Sequence, residues 1–130
     1  MTRKLLGLAF IGISIAAILI LSGCTGGQIT RGYTIETGGD ADHGAQLIVQ
    51  FRCGACHMIP GIRQARGKVG PPLMYFAERT FIAGEVPNTP DNLVRWIQSP
   101  QSIEAGTAMP ALGLTEQQSR DVAAYLYTLR

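Results

Sequence analysis

Five consecutive residues, Cys53-Gly54-Ala55-Cys56-His57, constrain the fold and chemistry of this 130-residue chain more than any other feature. Two thiols separated by two residues can form thioether bonds to the two vinyl groups on one edge of a porphyrin. The histidine that follows can then place its imidazole under the ring and ligate the iron. Because Cys-x-x-Cys-His is the attachment signature of c-type haem, the sequence predicts one covalently bound haem.

Three other interpretations fit a bare Cys-x-x-Cys pair. A thioredoxin-like redox pair is expected beside a βαβ pattern, and the chain shows no β-alternation of any length. Half a zinc site needs two further Cys or His ligands, for which only Cys24 and His43 remain. A disulfide between Cys53 and Cys56 would close a very small ring. Haem attachment is favoured because it also uses His57.

A six-coordinate haem needs a second axial ligand besides His57, and the chain offers Met58, Met74, Met109 and His43. Met58 adjoins His57 and cannot reach the opposite face of the ring. Met74 is expected to pack within the protein, and His43 is expected to face solvent. Met109 is favoured, because it lies in a loop flanked by Gly and Pro, although a lone methionine is more often core filler.

The chain beyond residue 40 is predicted to be all-α, with three to five helices around the haem. The expected helices are Asp42–Arg52 with Asp42 as its cap, a short helix within Leu73–Ala83, one from Asp91 to Pro100, and a last one capped by Thr115. Thr115 and Gln118 have the spacing of a capping box. The apolar core is thin for about ninety residues, so a bound cofactor would help to stabilise it.

The first residues read as an export signal. Arg3 and Lys4 precede 17 uncharged residues, Leu5 to Leu21, and small residues follow. Leu21-Ser22-Gly23-Cys24 resembles the lipobox of bacterial lipoproteins, which implies cleavage before Cys24 and a diacylglycerol on its sulfur. An uncleaved anchor is the alternative, since 17 residues lie at the short limit for spanning a bilayer.

Three segments are therefore expected. Residues 1–23 form a lipoprotein signal peptide, residues 24–40 a Gly- and Thr-rich flexible tether, and residues 41–130 the folded domain. The domain would be lipid-anchored in a bacterial cell envelope, at the extracytoplasmic (periplasmic) face of a membrane. Nine basic and nine acidic residues remain after the signal. This balance argues against nucleic-acid binding, which needs a basic excess.

From residue 42 to 130 the chain resembles the class I c-type cytochromes, the family of mitochondrial cytochrome c. Cys53 to His57 matches the haem-attachment motif. Gly70-Pro71-Pro72-Leu73 is similar to the family's Gly-Pro-x-Leu segment, which implies that the Pro71 carbonyl accepts a hydrogen bond from Nδ1 of His57. Trp96 to Met109 follows the family's aromatic, proline and Gly-Thr-x-Met spacing.

That second match implies Met109 as the distal iron ligand and Trp96 as an aromatic packed on the distal haem face. Trp96 also fits an ordinary core position. The resemblance places Arg79 near a haem propionate by a looser alignment. The loop Met58–Val69 and the spacing from Gly44 to the first cysteine depart from the family pattern.

The resemblance implies an electron carrier rather than an enzyme, without a small-molecule substrate. It would pass single electrons in a membrane-associated respiratory chain, from a quinol–cytochrome c reductase type of donor to a terminal oxidase type of acceptor. The alternatives are a fixed haem subunit of a larger respiratory complex and a gas- or peroxide-reactive haem protein. Residues 52–79 carry five bases against Glu78 alone. This excess either steers the protein to an acidic partner or forms a solvated loop.

Overall fold

The computed structural model describes residues 35–130. The elements in this range are α1 (Ala41–Gln50), a 3₁₀ turn (Cys53–Ala55), a second 3₁₀ turn (Phe76–Glu78), β1 (Phe81–Ile82), β2 (Val86–Pro87), α2 (Pro90–Gln98), a third 3₁₀ turn (Pro100–Ser102) and α3 (Glu116–Leu126). The all-α prediction is confirmed for these residues, with one small antiparallel β-ribbon added to it.

The main helix pair is α1 against α3, and α2 packs beside α3. Leu47 and Ile48 of α1 and Val122 of α3 are buried where the helices meet. A Cβ built on Gly44 would lie 2.0 Å from the Asp121 carbonyl oxygen. Helices α1 and α3 can therefore approach this closely only because residue 44 of α1 has no side chain.

Caps define the helix ends, and one of them differs from the sequence prediction. The cap of α1 is Asp40, not Asp42, because the Asp40 carboxylate accepts from the backbone N–H groups of Asp42 and His43. Asp42 instead lies in the first turn, where a negative charge suits the helix dipole. The predicted capping box of Thr115 and Gln118 is confirmed.

Helix α2 starts one residue earlier than predicted. Thr89 caps it, and Pro90 takes the first helical position, where its missing N–H costs nothing. The helix ends at Gln98, and the next 3₁₀ turn begins at Pro100.

The predicted helix within Leu73–Ala83 is wrong, because the 3₁₀ turn Phe76–Glu78 is the only helical turn that forms there. The Asn88 side chain donates at 3.0 Å to the carbonyl oxygens of both Phe76 and Arg79, which a helix would need for itself. Tyr127 holds the Asn88 side chain in turn, since its hydroxyl donates to the side-chain amide oxygen Oδ1 of Asn88 at 2.9 Å. Contacts distant in sequence thus override the local helix propensity.

The chain then enters the β-ribbon, in which Ile82 pairs with Val86. Its turn contains Ala83 and Gly84, with φ angles of 54° and 81°. Such a pair of positive φ angles suits the twist of a tight hairpin.

Residues 35–40, the end of the predicted tether, pack against α3. Thr37 is 3 % exposed, and its carbonyl oxygen accepts from the Arg120 guanidinium at 3.0 Å. The Gln117 amide donates to the Gly38 carbonyl oxygen at 3.1 Å. These contacts attach the segment to the folded domain.

The predicted signal peptide, Cys24 and the rest of the tether lie outside the described residues. Within residues 35–130, no helix combines the length and the apolar character that crossing a bilayer requires.

Candidate haem site

A cavity of about 670 Å³ lies between the three helices and the β-ribbon. Its walls are largely the apolar core itself. Side chains that are both buried and in the wall include Ile48, Ile59, Phe76, Ile82, Leu93, Ile97, Leu114, Val122 and Leu126. The volume lies within the range of small-molecule and cofactor sites.

The Cys-x-x-Cys-His motif forms one part of this wall. Helix α1 stops at Gln50, and Arg52 adopts a left-handed conformation with φ 56°, which turns the chain sharply. The following 3₁₀ turn brings Cys53, Cys56 and His57 to the cavity, with the His57 N–H bonded to the Cys53 carbonyl oxygen at 3.0 Å. No disulfide joins Cys53 to Cys56, and burial, reinforced by Cys56, raises the pKa of the Cys53 thiol.

The orientation of the His57 ring follows from its partner. Nδ1 lies 2.8 Å from the Pro71 carbonyl oxygen. A carbonyl oxygen only accepts, so Nδ1 carries the proton and donates. In the neutral imidazole this tautomer leaves Nε2 with the lone pair with which a histidine binds a metal.

Gly70 makes this arrangement possible. A Cβ at Gly70 would lie 2.3 Å from Cε1 of His57 and 2.7 Å from Nδ1. The Gly70 N–H donates to the Cys56 carbonyl oxygen at 2.9 Å. The backbone at residue 70 thus forms a close floor for the imidazole, which any larger residue would push away.

Arg79 supports the segment that holds His57. Its guanidinium donates to the carbonyl oxygens of Pro72 and Met74 and lies 5.4 Å from the centre of the Phe76 ring. Burial lowers the pKa of Arg79. Since Arg79 also lines the cavity, its guanidinium adds a positive charge to the cavity wall.

Met109 and Trp96 lie in the same cavity wall and are half-buried. Trp96 comes from α2 together with Leu93 and Ile97. Met109 comes from the loop between the third 3₁₀ turn and α3. The structure thus brings together all six predicted cofactor-binding residues, because Cys53, Cys56, His57 and Pro71 also line this cavity.

The rejected ligand candidates do not line this cavity. Met58 and Met74 line a second groove of about 640 Å³. The expectation that Met74 packs within the protein is wrong, because its side chain is exposed at this groove. His43 faces solvent as expected, with a side chain that is 52 % exposed, and its Nδ1 lies 2.8 Å from a carboxylate oxygen of Asp121. Within residues 35–130 no cluster of three or more His, Cys, Asp or Glu side chains is arranged to hold a metal ion.

Some site features have no clear signal in the sequence. Gly70 matched a family motif, but its contact with the His57 ring appears only in three dimensions. Val69, Phe81 and Leu112 line the cavity and are 79 %, 52 % and 38 % exposed. A hydropathy pattern predicts apolar residues to be buried, so it cannot identify an apolar rim at the mouth of a site.

The profile of the protein family described as Cytochrome c matches residues 41–130. The chain belongs to this family. It is 36 % identical over 91 residues to the cytochrome c oxidase subunit 2 of Alkalihalophilus pseudofirmus, covering 69 % of this chain and 26 % of that protein. The subunits 2 of Bacillus sp. strain PS3 and Bacillus subtilis are 32 % and 30 % identical over 89 residues.

These two alignments cover 65 % and 67 % of this chain and 25 % of each relative. The chain therefore spans about a quarter of the length of the curated relatives it matches. Family membership confirms the predicted class I c-type cytochrome and its small, mostly helical fold. It also identifies the chain as a haem electron-transfer protein.

The residues present fit a haem on two observations of this structure. The cavity wall is largely apolar, as a porphyrin requires, and the two thiols and the imidazole occur together on it. The Gly70 backbone and the Pro71 carbonyl oxygen orient the imidazole of His57, so that Nε2 is the ring nitrogen available to a metal.

Proposed function

We propose that this protein carries one covalently bound haem c and transfers single electrons in a membrane-associated respiratory chain, towards a terminal oxidase. The observation that carries the proposal is the grouping of Cys53, Cys56, His57 and Met109 in the wall of one apolar cavity. The bound haem would supply the one-electron Fe(II)/Fe(III) couple.

Each residue has a separate task in this proposal. Cys53 and Cys56 would form the two thioether bonds to a haem. His57 would hold its iron through Nε2 and Met109 through its thioether, and the Pro71 carbonyl oxygen fixes the imidazole through Nδ1. Methionine raises the reduction potential relative to a second histidine.

The protein surroundings favour electron transfer over reaction with small molecules. The buried apolar side chains of the wall would keep water away from a bound haem, and Trp96 adds an aromatic side chain to the wall that Met109 also lines. With His57 and Met109 both held by the iron of a bound haem, oxygen or peroxide would find no free coordination site. Arg52 and Arg79 supply positive charge at the wall, where a haem propionate would be stabilised.

The test is the reduced-minus-oxidised optical spectrum of the wild type, Met109→Ala and the control Met74→Ala. Met74 is 37 % exposed and does not line the cavity. We expect a c-type α-band in all three proteins, and a methionine–iron band that only Met109→Ala lacks. Absence of the α-band from the wild type contradicts haem c, and a methionine–iron band in Met109→Ala contradicts the ligand assignment.

A second candidate function is that of a fixed haem module within a larger respiratory complex. The matches to proteins named cytochrome c oxidase subunit 2 favour it. Gentle solubilisation of membranes and affinity purification would distinguish the two functions. A stoichiometric integral-membrane oxidase in the eluate supports the fixed module, and a haem protein eluting alone supports a free carrier.

We also propose that an acylated Cys24 holds the domain at the extracytoplasmic face of a bacterial membrane. Lipid anchoring by two or more chains is stable, whereas one chain binds only marginally. Cys24→Ser should release the haem domain from the membrane fraction if the signal is still processed. The intact mass of the wild type separates the two anchors, because a chain that starts at an acylated Cys24 supports the lipid anchor and an unacylated chain that still carries residues 1–23 supports the uncleaved anchor.

A further inference from the structure

We propose that Gln101 is a positioning residue that holds the backbone of Met109 and so determines how firmly its thioether stays in the haem site. The inference rests on the proposed role of Met109 as an axial ligand. Gln101 does not line the cavity, so its effect passes through the peptide of Met109.

The contact is a hydrogen bond between two segments of the chain. Nε2 of Gln101 donates to the Met109 carbonyl oxygen at 2.7 Å, across eight residues of sequence. This distance is at the short end of the range for N–H···O bonds. Gln101 thereby closes the loop that carries Met109.

The other side of Met109 is held within the loop itself. The Met109 N–H donates to the Thr107 hydroxyl at 3.2 Å, and the Thr107 N–H donates to the Glu104 carbonyl oxygen at 3.1 Å. Pro110 follows Met109 and restricts its backbone to extended conformations. With N–H and C=O both held, the remaining freedom of Met109 lies in its side-chain torsions.

Gln101 is itself fixed to a rigid part of the fold. It lies in the 3₁₀ turn after α2, next to the fully buried Pro100. The Ser102 hydroxyl donates to the Ser99 carbonyl oxygen at 2.7 Å, and the Glu104 N–H donates to the Pro100 carbonyl oxygen at 3.0 Å. Gln101 therefore connects the end of α2 directly to the Met109 peptide.

A methionine thioether is a weak ligand, so its hold on the iron depends on the loop delivering it there. Imidazole added to the ferric protein competes for the same position. Loss of one hydrogen bond of this kind weakens the competing methionine by about two- to tenfold. The apparent affinity for imidazole should rise by the same factor.

The experiment is an imidazole titration of the ferric full-length protein, followed through the methionine–iron band. Gln101→Ala removes the donor. Gln101→Glu keeps the size, but its carboxylate can only accept, and Gln101→Arg restores a donor. The control is Gln46→Ala, at an exposed position of α1.

We expect Gln101→Ala and Gln101→Glu to bind imidazole about two- to tenfold more tightly than the wild type. Gln101→Arg should approach the wild-type value, and Gln46→Ala should match it. Equal imidazole affinities in all the proteins overturn the inference about Gln101. A wild type with covalent haem but no methionine–iron band overturns the assignment of Met109 itself, which is a different result.

Thermal unfolding of each variant distinguishes a specific effect on Met109 from a general loss of stability. Similar unfolding midpoints together with a changed imidazole affinity support positioning. If the imidazole affinity changes only in proportion to stability, the role is structural and the inference fails.

Discussion

The most constrained single side chain of the site is His57, which is held from two directions. The Pro71 carbonyl oxygen accepts from Nδ1 at 2.8 Å, and the Gly70 backbone lies directly against the ring. These two contacts fix both the tautomer and the tilt of the imidazole. The Gly-Pro pair that resembled a family motif therefore has a physical explanation in this structure.

Substitution of Gly70 by Ala should displace the His57 ring, because the added Cβ would lie 2.3 Å from Cε1. We expect a lower yield of haem-loaded protein and a reduction potential different from that of the wild type. Gly106→Ala is the matched control, since a Cβ there meets no atom within 4 Å. Redox titration and the haem-to-protein ratio measure both effects. A Gly70→Ala protein indistinguishable from Gly106→Ala would show that the ring has room to adjust.

Helices were the elements most open to prediction from the sequence. The capping box of Thr115 and Gln118 and the apolar spacing of the last helix gave α3 correctly. The segment after Leu73 was not predictable, because its carbonyl oxygens bond to Asn88, which lies beyond the β-ribbon. A local sequence pattern reflects only local conformational preferences, whereas the conformation of this segment is determined by its hydrogen bonds to Asn88.

For the site, the motif residues were predictable because their spacing encodes the chemistry directly. Gln101 was not, since an exposed glutamine eight residues before Met109 has no distinguishing pattern. The same holds for Asp121, whose importance appears only when the N-terminal segment folds back onto α3.

Asp121 joins the start of α1 to α3. Its carboxylate accepts from the Asp40 N–H, the Gln117 amide and Nδ1 of His43, at 2.9, 2.9 and 2.8 Å. Burial disfavours the ionised carboxyl, but these hydrogen bonds and the nearby His43 outweigh it and lower the pKa of Asp121. The ionised form is therefore more stable in the folded protein than in the unfolded chain.

The sign of the pH dependence follows from this lowered pKa. The contribution of Asp121 is complete above about pH 4, the unfolded value, and is lost as the pH falls through the folded pKa. Asp121→Asn should lower the free energy of unfolding by about 2 kcal/mol at neutral pH and flatten its decline in acid. Denaturant unfolding between neutral and acidic pH measures both effects. The control is Glu85→Gln, at an exposed position in the hairpin turn. If the free energy of unfolding of Asp121→Asn falls as steeply in acid as that of the wild type, other carboxyl groups cause the acid dependence.

At the scale of the molecule, the basic excess of residues 52–79 divides into two groups. Arg52 and Arg79 line the haem cavity. Arg63, Arg66 and Lys68 line the second groove, whose wall includes no acidic residue. The ion pairs found among residues 35–130 involve none of these three side chains. The groove therefore presents uncompensated positive charge beside the attachment loop.

Neutralising this groove should slow electron transfer to an acidic partner at low ionic strength. Combining Arg63→Gln, Arg66→Gln and Lys68→Gln is expected to lower the rate about tenfold and to flatten its dependence on salt. Rates to a purified terminal oxidase across a salt series measure this. Arg95→Gln, at an exposed position of α2, serves as the control. If the triple variant and the wild type show the same salt dependence, these three residues do not steer the partner and are simply solvated.

The cavity walls have a consequence for the life of the protein in a cell. Many of the same side chains form the hydrophobic core and the wall of the haem cavity. Folding and haem binding therefore depend on the same apolar contacts. A reversibly bound ligand stabilises a fold only in proportion to its free concentration, by mass action. The two proposed thioether bonds would remove that dependence, so a loaded chain would keep its full stability at any dilution and in any supply of free haem.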